Sequence, residues 1–323
     1  MKQARLKPDW QLRRSVSSAV LLTQFAARQG IPLRDCLAGT GIAPESLADP
    51  QGEIEARQEL RLLHNVAPRL QPGQALELGQ LYHLTTYGIW GFALISSPTL
   101  RAAFSLGLRY FDLAFSYCHI HMETDRDEAR LILDDGDIPE ALRQFLVERD
   151  LAAMQTIQRE LFSAPMPLRR LECRFPAPPY AAQFTALFGV QPRFGAPRNV
   201  AVLDAARLDR PLPQANPLTA QLCEQQCQQL LARRRARSGI AGRVRDRLLR
   251  QPGMMADMET IAAELHMTSR TLRRRLDEEG TSYRALVDEV RAALAEEMLA
   301  GTRLSVEEVA ERLGYAEASS FIH

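Results

Sequence analysis

Cysteine is scarce in this sequence and shows no arrangement that would hold a metal ion. The five cysteines are scattered over 323 residues, and Cys223 and Cys227 are simply one helical turn apart. An odd number of thiols without metal-ligand spacing is typical of a protein in a reducing compartment. We therefore expect a cytoplasmic protein with no metal and no cofactor.

Long apolar runs are also missing. No window approaches the roughly 20 apolar residues that a membrane-spanning helix needs, and the charged first residues are not followed by the apolar core of a signal peptide. The sequence also has no glycine-rich phosphate loop, no G-x-S-x-G elbow and no H-E-x-x-H pair. These absences predict a protein that is not an enzyme and does not enter a membrane.

The net charge is small, but basic residues are concentrated in the last third of the chain. The formal net charge is +1, with 46% hydrophobic and 24% charged residues, as in soluble globular proteins. Arginine-rich stretches occupy residues 233–237, 243–250 and 270–275. Because phosphate attraction is screened within about 8–10 Å at physiological salt, local basic density matters more than the total.

Residues 258–280 are typical of two short helices joined by a tight turn. An apolar face, a turn and hydroxyl caps follow one another: Ile261, Ala262 and Leu265, then His266 and Met267, then Thr268 and Ser269. Leu272 and Leu276 direct the second helix into a core, which leaves arginines on its other faces. Such a helix is shaped to enter a DNA major groove. The alternative is a solvated basic helix of a helical bundle, but a second copy of the motif favours DNA.

The second copy begins with a capping box formed by Ser305 and Glu308. A buried stripe and a turn at residues 314–315 follow, and then another helix opens; the stripe is Val306, Val309, Ala310 and Leu313. A linker helix of about nineteen residues separates the two units, which is almost 30 Å at about 1.5 Å per residue. This length is close to the roughly 34 Å repeat of B-DNA, so two recognition helices can read successive major-groove turns.

The preceding two thirds of the chain mix helices with short strands. We predict helices over residues 16–29, 53–70, 74–84, 138–162 and 180–188, and another that starts at Ser97 and Pro98. Strands are predicted over residues 115–123 and 127–133, as a hairpin around residues 124–126, and again near 168–175 and 192–203. The predicted fold class is an α+β N-terminal domain followed by an all-α domain with two helix-turn-helix units joined by a linker helix.

A proline cluster marks the expected domain junction, at Pro211, Pro213 and Pro217. We therefore assign residues 1–210 to the α+β domain, residues 211–237 to a linker and connecting helix, and residues 238–323 to the helical domain.

Four blocks with consistent spacing resemble the AraC/XylS family of bacterial transcription regulators. They are Ser269-x-x-Leu272-x-Arg274-x-Leu276, Glu279-Gly280-Thr281-Ser282-Tyr283, Arg291-x-x-x-Ala295-x-x-x-Leu299 and Val309-Ala310-x-x-Leu313-Gly314-Tyr315-x-x-x-Ser319-x-Phe321. The resemblance covers about residue 243 to the end. Residues 88–113 are similar, more weakly, to the family branch with an arabinose-binding-type N-terminal domain.

The resemblance implies a cytoplasmic activator or repressor whose N-terminal domain senses a small molecule or mediates dimer contacts. The implied partners are double-stranded promoter DNA with two half-sites, RNA polymerase, a small-molecule effector and, as a further option, a second copy of the chain. Family members continue beyond the second recognition helix, whereas residues 319–323 stop inside a predicted helix. We therefore expect the natural chain to be longer.

The candidate DNA contacts lie in both helix-turn-helix units. They are Ser269, Arg270, Thr271, Arg273 and Arg274 in the first unit, and Glu317, Ser319, Ser320 and His323 in the second. Guanidinium groups pair with guanine edges or with phosphates, and the sequence leaves that choice open. Glu317 is suited to accept a hydrogen bond from cytosine, but it is equally suited to the start of a helix.

The candidate effector contacts are aromatic and histidine side chains of the N-terminal domain: Tyr82, His83, Tyr87, Trp90, Tyr110, Tyr117 and His119. The alternative interpretation is that the aromatic residues belong to the core, which we favour. His119 and His121 share one face of a predicted strand. Because no acidic or cysteine partner is spaced nearby, we interpret them as strand residues rather than metal ligands.

Two other functions are compatible with a helix-turn-helix module. An enzyme or DNA-repair protein, such as an alkylation-repair methyl acceptor, would need a reactive cysteine in a Pro-Cys-His-Arg-like setting, which the surroundings of Cys118 and Cys173 do not supply. A purely protein-binding helical module would keep its function when Arg270, Arg273 and Arg274 are replaced by alanine. A ligand-responsive regulator would lose promoter binding.

Overall fold

The computed structural model describes residues 12–162, 167–249, 255–301 and 305–313 of the chain. The chain divides into two compact units, Met1–Ala232 and Arg233–His323. The first unit combines helices with strands, whereas the described residues of the second are helical. The predicted fold class, an α+β domain followed by an all-α domain, is confirmed.

Nine α-helices begin within the described part of the first unit. They are α1 (Ser17–Arg28), α2 (Leu33–Leu37), α3 (Ala56–Val66), α4 (Gln74–Gly79), α5 (Ile89–Ser96), α6 (Leu100–Arg109), α7 (Glu140–Phe162), α8 (Ala181–Phe188) and α9 (Pro217–Arg237). The strands are β1 (Arg13–Ser15), β2 (Glu53–Glu55), β3 (His119–Asp125), β4 (Glu128–Asp134), β5 (Arg170–Cys173), β6 (Arg193–Phe194) and β7 (Asn199–Asp204).

A five-stranded sheet forms the frame of the first unit, in the order β3-β4-β7-β5-β6. All its neighbouring strands are antiparallel except β5 and β6. Alternate residues of β4 and β7, such as Leu131, Leu133, Ala201 and Leu203, belong to the main hydrophobic core. One face of the sheet is therefore covered by the core that it shares with the helices.

The predicted hairpin exists, with shifted limits. β3 starts at His119 rather than at residue 115, because the Ser116 hydroxyl accepts a hydrogen bond from the Cys118 N–H and holds a local turn there. Asp125 pairs with Glu128, so the turn consists of residues 126 and 127 rather than 124–126.

The helix predicted over residues 53–70 is confirmed from Ala56 to Val66, but its predicted start is wrong. Its first three residues form β2, which pairs with β1, a strand that the sequence analysis missed. Glu55 then caps α3 in a capping box with Gln58, and helical structure therefore begins only at Ala56. Ile54 is buried between two glutamates, an alternation that suits a strand.

The prediction that Ser97 and Pro98 start a helix is also wrong, by two positions. Thr99 is the N-cap of α6 and accepts a hydrogen bond from the Ala102 N–H. The Ser97 hydroxyl instead donates to the Ala93 carbonyl at the end of α5. The helix predicted over residues 74–84 is shorter than expected, since α4 ends at Gly79.

Five helices form the described part of the second unit after α9. They are α10 (Gly239–Leu248), α11 (Met258–Glu264), α12 (Ser269–Glu278), α13 (Tyr283–Gly301) and α14 (Val306–Arg312). A first core joins α10 to α12 and the start of α13, with Leu272, Leu276 and Leu286 fully buried. A second core contains Ala295 of α13 and Val309 of α14. α13 thus connects two separate small cores.

Candidate functional site

The first helix-turn-helix is built from α11 and α12. Asp257 caps α11 by accepting a hydrogen bond from the Thr260 N–H at 2.8 Å, and Thr268 caps α12 through the Thr271 N–H at 3.2 Å. Between them His266 has a φ of 57°, the left-handed conformation that closes the turn. The predicted helix-turn-helix and its hydroxyl cap are confirmed, with Thr268 as the cap and Ser269 as the first helical residue.

The arginines of α12 face away from its leucines. Since successive residues of an α-helix are rotated by about 100°, Arg274 lies about 180° from the midpoint of Leu272 and Leu276. Arg270 and Arg273 are exposed as well, and within the described residues neither has an ion-pair partner. Arg274 pairs with Glu278 at 2.7 Å. The helix therefore presents a basic outer face on an apolar anchor.

Ser269 and Thr271 lie half-buried beside these arginines at the start of α12. The Thr271 hydroxyl is 3.0 Å from the Thr268 hydroxyl, so its first role is in the cap. The candidate DNA contacts of the second helix-turn-helix lie outside the described residues; they are Glu317, Ser319, Ser320 and His323.

A carboxylate at the end of α12 holds this helix to α10, which the sequence analysis missed. Both oxygens of Glu279 accept backbone hydrogen bonds, from the Ile240 N–H at 2.8 Å and the Ala241 N–H at 2.9 Å. Gly239, with a φ of 73°, brings these N–H groups close to the carboxylate. The orientation of α12 is thus fixed by a charge at a helix N-terminus as well as by leucine packing.

The basic stretch in α10 is largely neutralised within the unit. Arg245 donates to both oxygens of Glu289 at 2.8 Å, and Arg247 lies 3.4 Å from Glu264. The first helix of the second helix-turn-helix keeps its predicted capping box, with Ser305 and Glu308 bonded reciprocally at 2.7 and 3.2 Å.

The first unit contains a cavity of about 110 Å³ between the sheet and helices α5, α6 and α7. Its wall is mostly hydrocarbon and aromatic, with Leu94, Phe104, Ile120, Leu131 and Ala201 among the lining residues. This composition is typical of a small-molecule site.

Polar residues form a smaller part of the wall, which comprises Arg149, Asp150, Gln155 and Gln158 of α7 together with Ser116. Arg149 and Asp150 both line the cavity and are 1% and 5% exposed. The Arg149 Nε and Nη2 donate to Asp150 Oδ1 at 3.0 and 2.8 Å, and Nη2 also donates to the Phe115 carbonyl at 2.9 Å. Nη1 is buried and has no hydrogen-bond partner. This pair was not predicted, although a Glu-Arg-Asp triplet inside a long helix was a usable signal.

Three of the predicted effector residues line the cavity: Tyr82, Tyr87 and Trp90. The other four predicted residues do not. His83 pairs with Glu160 at 2.5 Å, and His119 pairs with Asp137 at 3.0 Å. The Tyr110 hydroxyl lies 3.5 Å from Glu224, and the Tyr117 hydroxyl donates to the Ala56 carbonyl at 2.8 Å.

Comparison with known families supports the first of the three candidate functions, a transcription regulator. Residues 30–212, more than half of the chain, match the family described as the N-terminal arabinose-binding domain of AraC transcription regulators. Residues 261–323 match a helix-turn-helix domain. The chain belongs to the AraC family of transcription regulators. It is a DNA-binding regulator with an N-terminal ligand-binding domain.

Similar full-length proteins support this identification of the regulator. An uncharacterized HTH-type transcriptional regulator of Mycobacterium tuberculosis is 35% identical, and the alignment covers 98% of this chain and 94% of the relative. The ornithine utilization regulator of Pseudomonas aeruginosa is 32% identical over 95% of this chain and 91% of its own length. The crystal structure of the transcriptional regulator CdpR from Pseudomonas aeruginosa is 26% identical, with a TM-score of 0.50, and the match covers 94% and 92% of the two chains.

The cysteines of this regulator lie in the interior of the fold. All five are buried. Burial raises the pKa of Cys173 to about 12 and, helped by neighbouring Cys223 and Glu224, that of Cys227 to about 11. Burial also raises the pKa of Cys118 well above its ordinary value. Because the thiolate is the nucleophile, these pKa values work against a reactive cysteine.

Two absences hold for the described residues of the regulator. No helix among them is long and apolar enough to cross a membrane. The same residues contain no group of three or more histidine, cysteine or carboxylate side chains placed to hold a metal ion.

Proposed function

We propose that this regulator binds two successive half-sites on one face of a DNA duplex, and that a small molecule in the cavity of the first unit changes that binding. The basic outer face of α12 is the observation that carries the DNA part of the proposal. Arg270, Arg273 and Arg274 are exposed on a helix that Leu272 and Leu276 anchor. Arginine forks in this position suit guanine edges and phosphates.

The length of α13 supports the two-site geometry. With 19 residues, it is about 28 Å long at about 1.5 Å per residue. Its first half packs in the core of the first helix-turn-helix, and its second half packs against α14. A rigid spacer of this length suits half-sites about one helical turn, roughly 34 Å, apart. The proposed DNA contacts of the second helix-turn-helix remain Glu317, Ser319, Ser320 and His323.

The cavity supports small-molecule control. Tyr82, Tyr87 and Trp90 line it together with the Arg149–Asp150 pair. A mostly apolar wall with a few convergent polar groups is the usual form of a ligand site. For His83, Tyr110, Tyr117 and His119 we propose no direct contact with the effector, since each is engaged elsewhere.

The test is fluorescence anisotropy of the full-length protein on DNA from upstream of its own gene. We expect Arg270→Ala, Arg273→Ala or Arg274→Ala to weaken specific binding by about 1–3 kcal/mol wherever the side chain contacts a base. Arg34→Ala removes an equal charge from α2 in the first unit and should leave binding unchanged. Normal promoter binding by the triple alanine variant would exclude the proposal.

The salt dependence of DNA binding distinguishes arginines that contact phosphates from arginines that contact bases. An arginine that contacts only phosphate should weaken binding to all sequences and reduce the slope of log K against log salt by about 1 when it is removed. A base contact should also reduce the discrimination between the upstream DNA and a scrambled duplex. Arg275→Ala, on another side of the same helix, is the matched control for charge.

Self-association and contact with RNA polymerase are further parts of the proposal. Leu218 and Leu222, one turn apart on α9, are 81% and 55% exposed, which supports a homodimer through this helix. Light scattering of the wild type against the Leu218→Gln, Leu222→Gln variant tests the dimer. We place the protein in the cytoplasm, where it would reach both promoter DNA and polymerase, and transcription in vitro with purified polymerase tests that contact.

A further inference from the structure

The cavity of the first unit combines a large apolar wall with one charged donor that the protein leaves unused. The sheet contributes Leu131, Ala201 and Leu203 to the wall, and the helices contribute aliphatic and aromatic side chains. A bound molecule must therefore be mostly hydrocarbon, because polar atoms placed against this wall would lose their hydrogen bonds to water.

Arg149 provides the donor. It lines the cavity, is 1% exposed, and uses Nε and Nη2 on Asp150 and the Phe115 carbonyl. The guanidinium also lies over the Tyr82 and Tyr117 rings, 5.4 and 5.9 Å from their centroids. Its Nη1 is buried and has no hydrogen-bond partner among the described residues. Buried polar groups are almost always hydrogen-bonded, and one that is not calls for an explanation such as a missing ligand. An oxygen acceptor on a bound molecule is the complement of this group.

The charges around Arg149 are already balanced. Its guanidinium pairs with Asp150, which also lies 2.5 Å from the Ser116 hydroxyl. The neighbouring buried pair of Arg14 and Glu59, at 3.2 Å, is balanced as well. A carboxylate on the ligand would add an unbalanced negative charge beside Asp150, and buried charge without a partner is costly. An uncharged oxygen would satisfy Nη1 without that cost.

We propose that the cavity binds a mainly hydrocarbon molecule, aliphatic or aromatic, that carries one uncharged oxygen acceptor, such as a ketone or ester carbonyl, bonded to Arg149 Nη1. This inference rests on the proposed function only in identifying the molecule as the effector. The inferred ligand class excludes a sugar as the molecule that this cavity binds. A sugar carries a hydroxyl on almost every carbon, and the hydrocarbon wall would leave most of these unpaired.

The experiment compares three probes of nearly equal size by titration calorimetry on the full-length protein: acetophenone, ethylbenzene and benzoate. We expect acetophenone to bind about tenfold or more tightly than ethylbenzene, since a hydrogen bond to a charged group is among the stronger ones. Benzoate should bind more weakly than acetophenone because of Asp150. Equal binding of acetophenone and ethylbenzene, or tighter binding of benzoate, would overturn the proposal.

Variants locate the binding. Arg149→Lys keeps the charge opposite Asp150 but removes the guanidinium fork, and should abolish the preference for acetophenone over ethylbenzene. Arg143→Lys, on the same helix outside the cavity wall, is its control and should keep that preference. An unchanged preference in Arg149→Lys would exclude Arg149 as the donor.

A second variant covers the case in which Arg149→Lys does not fold. Ala153 lines the cavity, and Ala153→Leu should prevent all three probes from binding by filling it. Ala182→Leu, on the exposed surface of α8, adds the same side chain elsewhere and should change nothing. Unchanged acetophenone binding in Ala153→Leu would place the site elsewhere and overturn the proposal.

The same proteins separate this inference from the proposed function. Probe binding is measured without DNA, and anisotropy with upstream DNA is measured independently. If the probes bind in the expected order but DNA binding never responds to a cavity ligand, the inferred ligand class of the cavity is supported and control of DNA binding by an effector is excluded. If DNA binding responds to a ligand that Ala153→Leu still binds, control by an effector is supported and the cavity is excluded as its binding site.

Discussion

The Glu279 carboxylate, at the end of α12, accepts a 2.8 Å hydrogen bond from the Ile240 N–H at the start of α10. It thereby joins the C-terminal end of α12, the helix that we propose contacts DNA, to the N-terminal end of α10. This contact stabilises the start of α10, because the Glu279 carboxylate accepts hydrogen bonds from N–H groups that would otherwise lack partners. The carboxylate also lies at the positive end of the α10 helix dipole. The orientation of the basic face thus depends on one carboxylate.

We predict that Glu279→Ala destabilises the second unit by about 1–2 kcal/mol, the usual cost of losing a helix cap. The measurement is urea unfolding followed by far-UV circular dichroism, with DNA binding measured in parallel. Glu278→Ala is the control, because the ion pair of Glu278 within the described part of the chain is with the exposed Arg274. Equal stability of the Glu279→Ala and Glu278→Ala variants would show that the cap contributes nothing.

The ion pair between Arg274 and Glu278 leads to a second prediction. At 2.7 Å and one turn apart on an exposed surface, the pair contributes little to stability, but Glu278 holds Arg274 and opposes DNA phosphates. We expect Glu278→Gln to raise affinity for DNA of any sequence about two- to threefold at low salt, and less at high salt. Asp246→Asn on α10 removes a charge of the same sign from another helix. Anisotropy at several salt concentrations tests whether only Glu278→Gln shows the gain.

Leu272 supports a prediction on stability. It is fully buried in the core that joins α10, α11, α12 and α13. We expect Leu272→Ala to cost about 2–5 kcal/mol through lost burial and the cavity that it leaves. Leu249→Ala removes the same atoms from a side chain that is 47% exposed and should cost much less. Calorimetry should show that Leu272→Ala lowers the melting transition of the second unit and spares that of the first.

Sequence patterns predicted the helices of the second unit well, because these helices depend mainly on interactions between residues that are close in sequence. The spacing of Leu272 and Leu276 determines which side of α12 is buried, and Ser305 with Glu308 marks a helix start from neighbouring residues alone. Glu279 escaped prediction because its partner Ile240 is distant in sequence. No periodicity relates a carboxylate to a helix start so far from it.

The first unit was less predictable because its site depends on distant contacts. Aromatic composition pointed to Tyr82, Tyr87 and Trp90, but not to which aromatic residues face a cavity and which face the core. β1 and β2 are three residues each, too short for an alternating pattern to identify. Arg149 was not predicted, because its partners in the fold include the Phe115 carbonyl, which is distant in sequence.

Glu148, next to Arg149 on α7, makes stability of the first unit depend on pH. Its side chain is 2% exposed and accepts hydrogen bonds from the Gln144 amide at 2.9 Å and the Tyr180 hydroxyl at 2.8 Å. Within the described residues it has no ion-pair partner. Burial raises the pKa of Glu148 above its ordinary value of 4.5, and the two hydrogen bonds offset this only in part.

The sign of the effect follows from linkage. A carboxyl group with a raised pKa in the folded state binds its proton more tightly there than in the unfolded chain. Its contribution to stability is therefore fully present below about pH 4.5 and is lost as the pH rises through the folded-state pKa. We predict that Glu148→Gln removes this loss, so that its stability relative to wild type increases with pH.

Urea unfolding between pH 5 and 8, followed by tryptophan fluorescence, measures this difference, since Trp90 is buried in the core of the first unit. Glu45→Gln is the control, because Glu45 is exposed and its charge stays in water in both states. A constant gap between Glu148→Gln and wild type across this range would mean that Glu148 keeps its ordinary pKa in the folded protein. A gap that widens with pH in Glu148→Gln, but not in Glu45→Gln, would assign the pH dependence to the buried carboxyl beside the cavity.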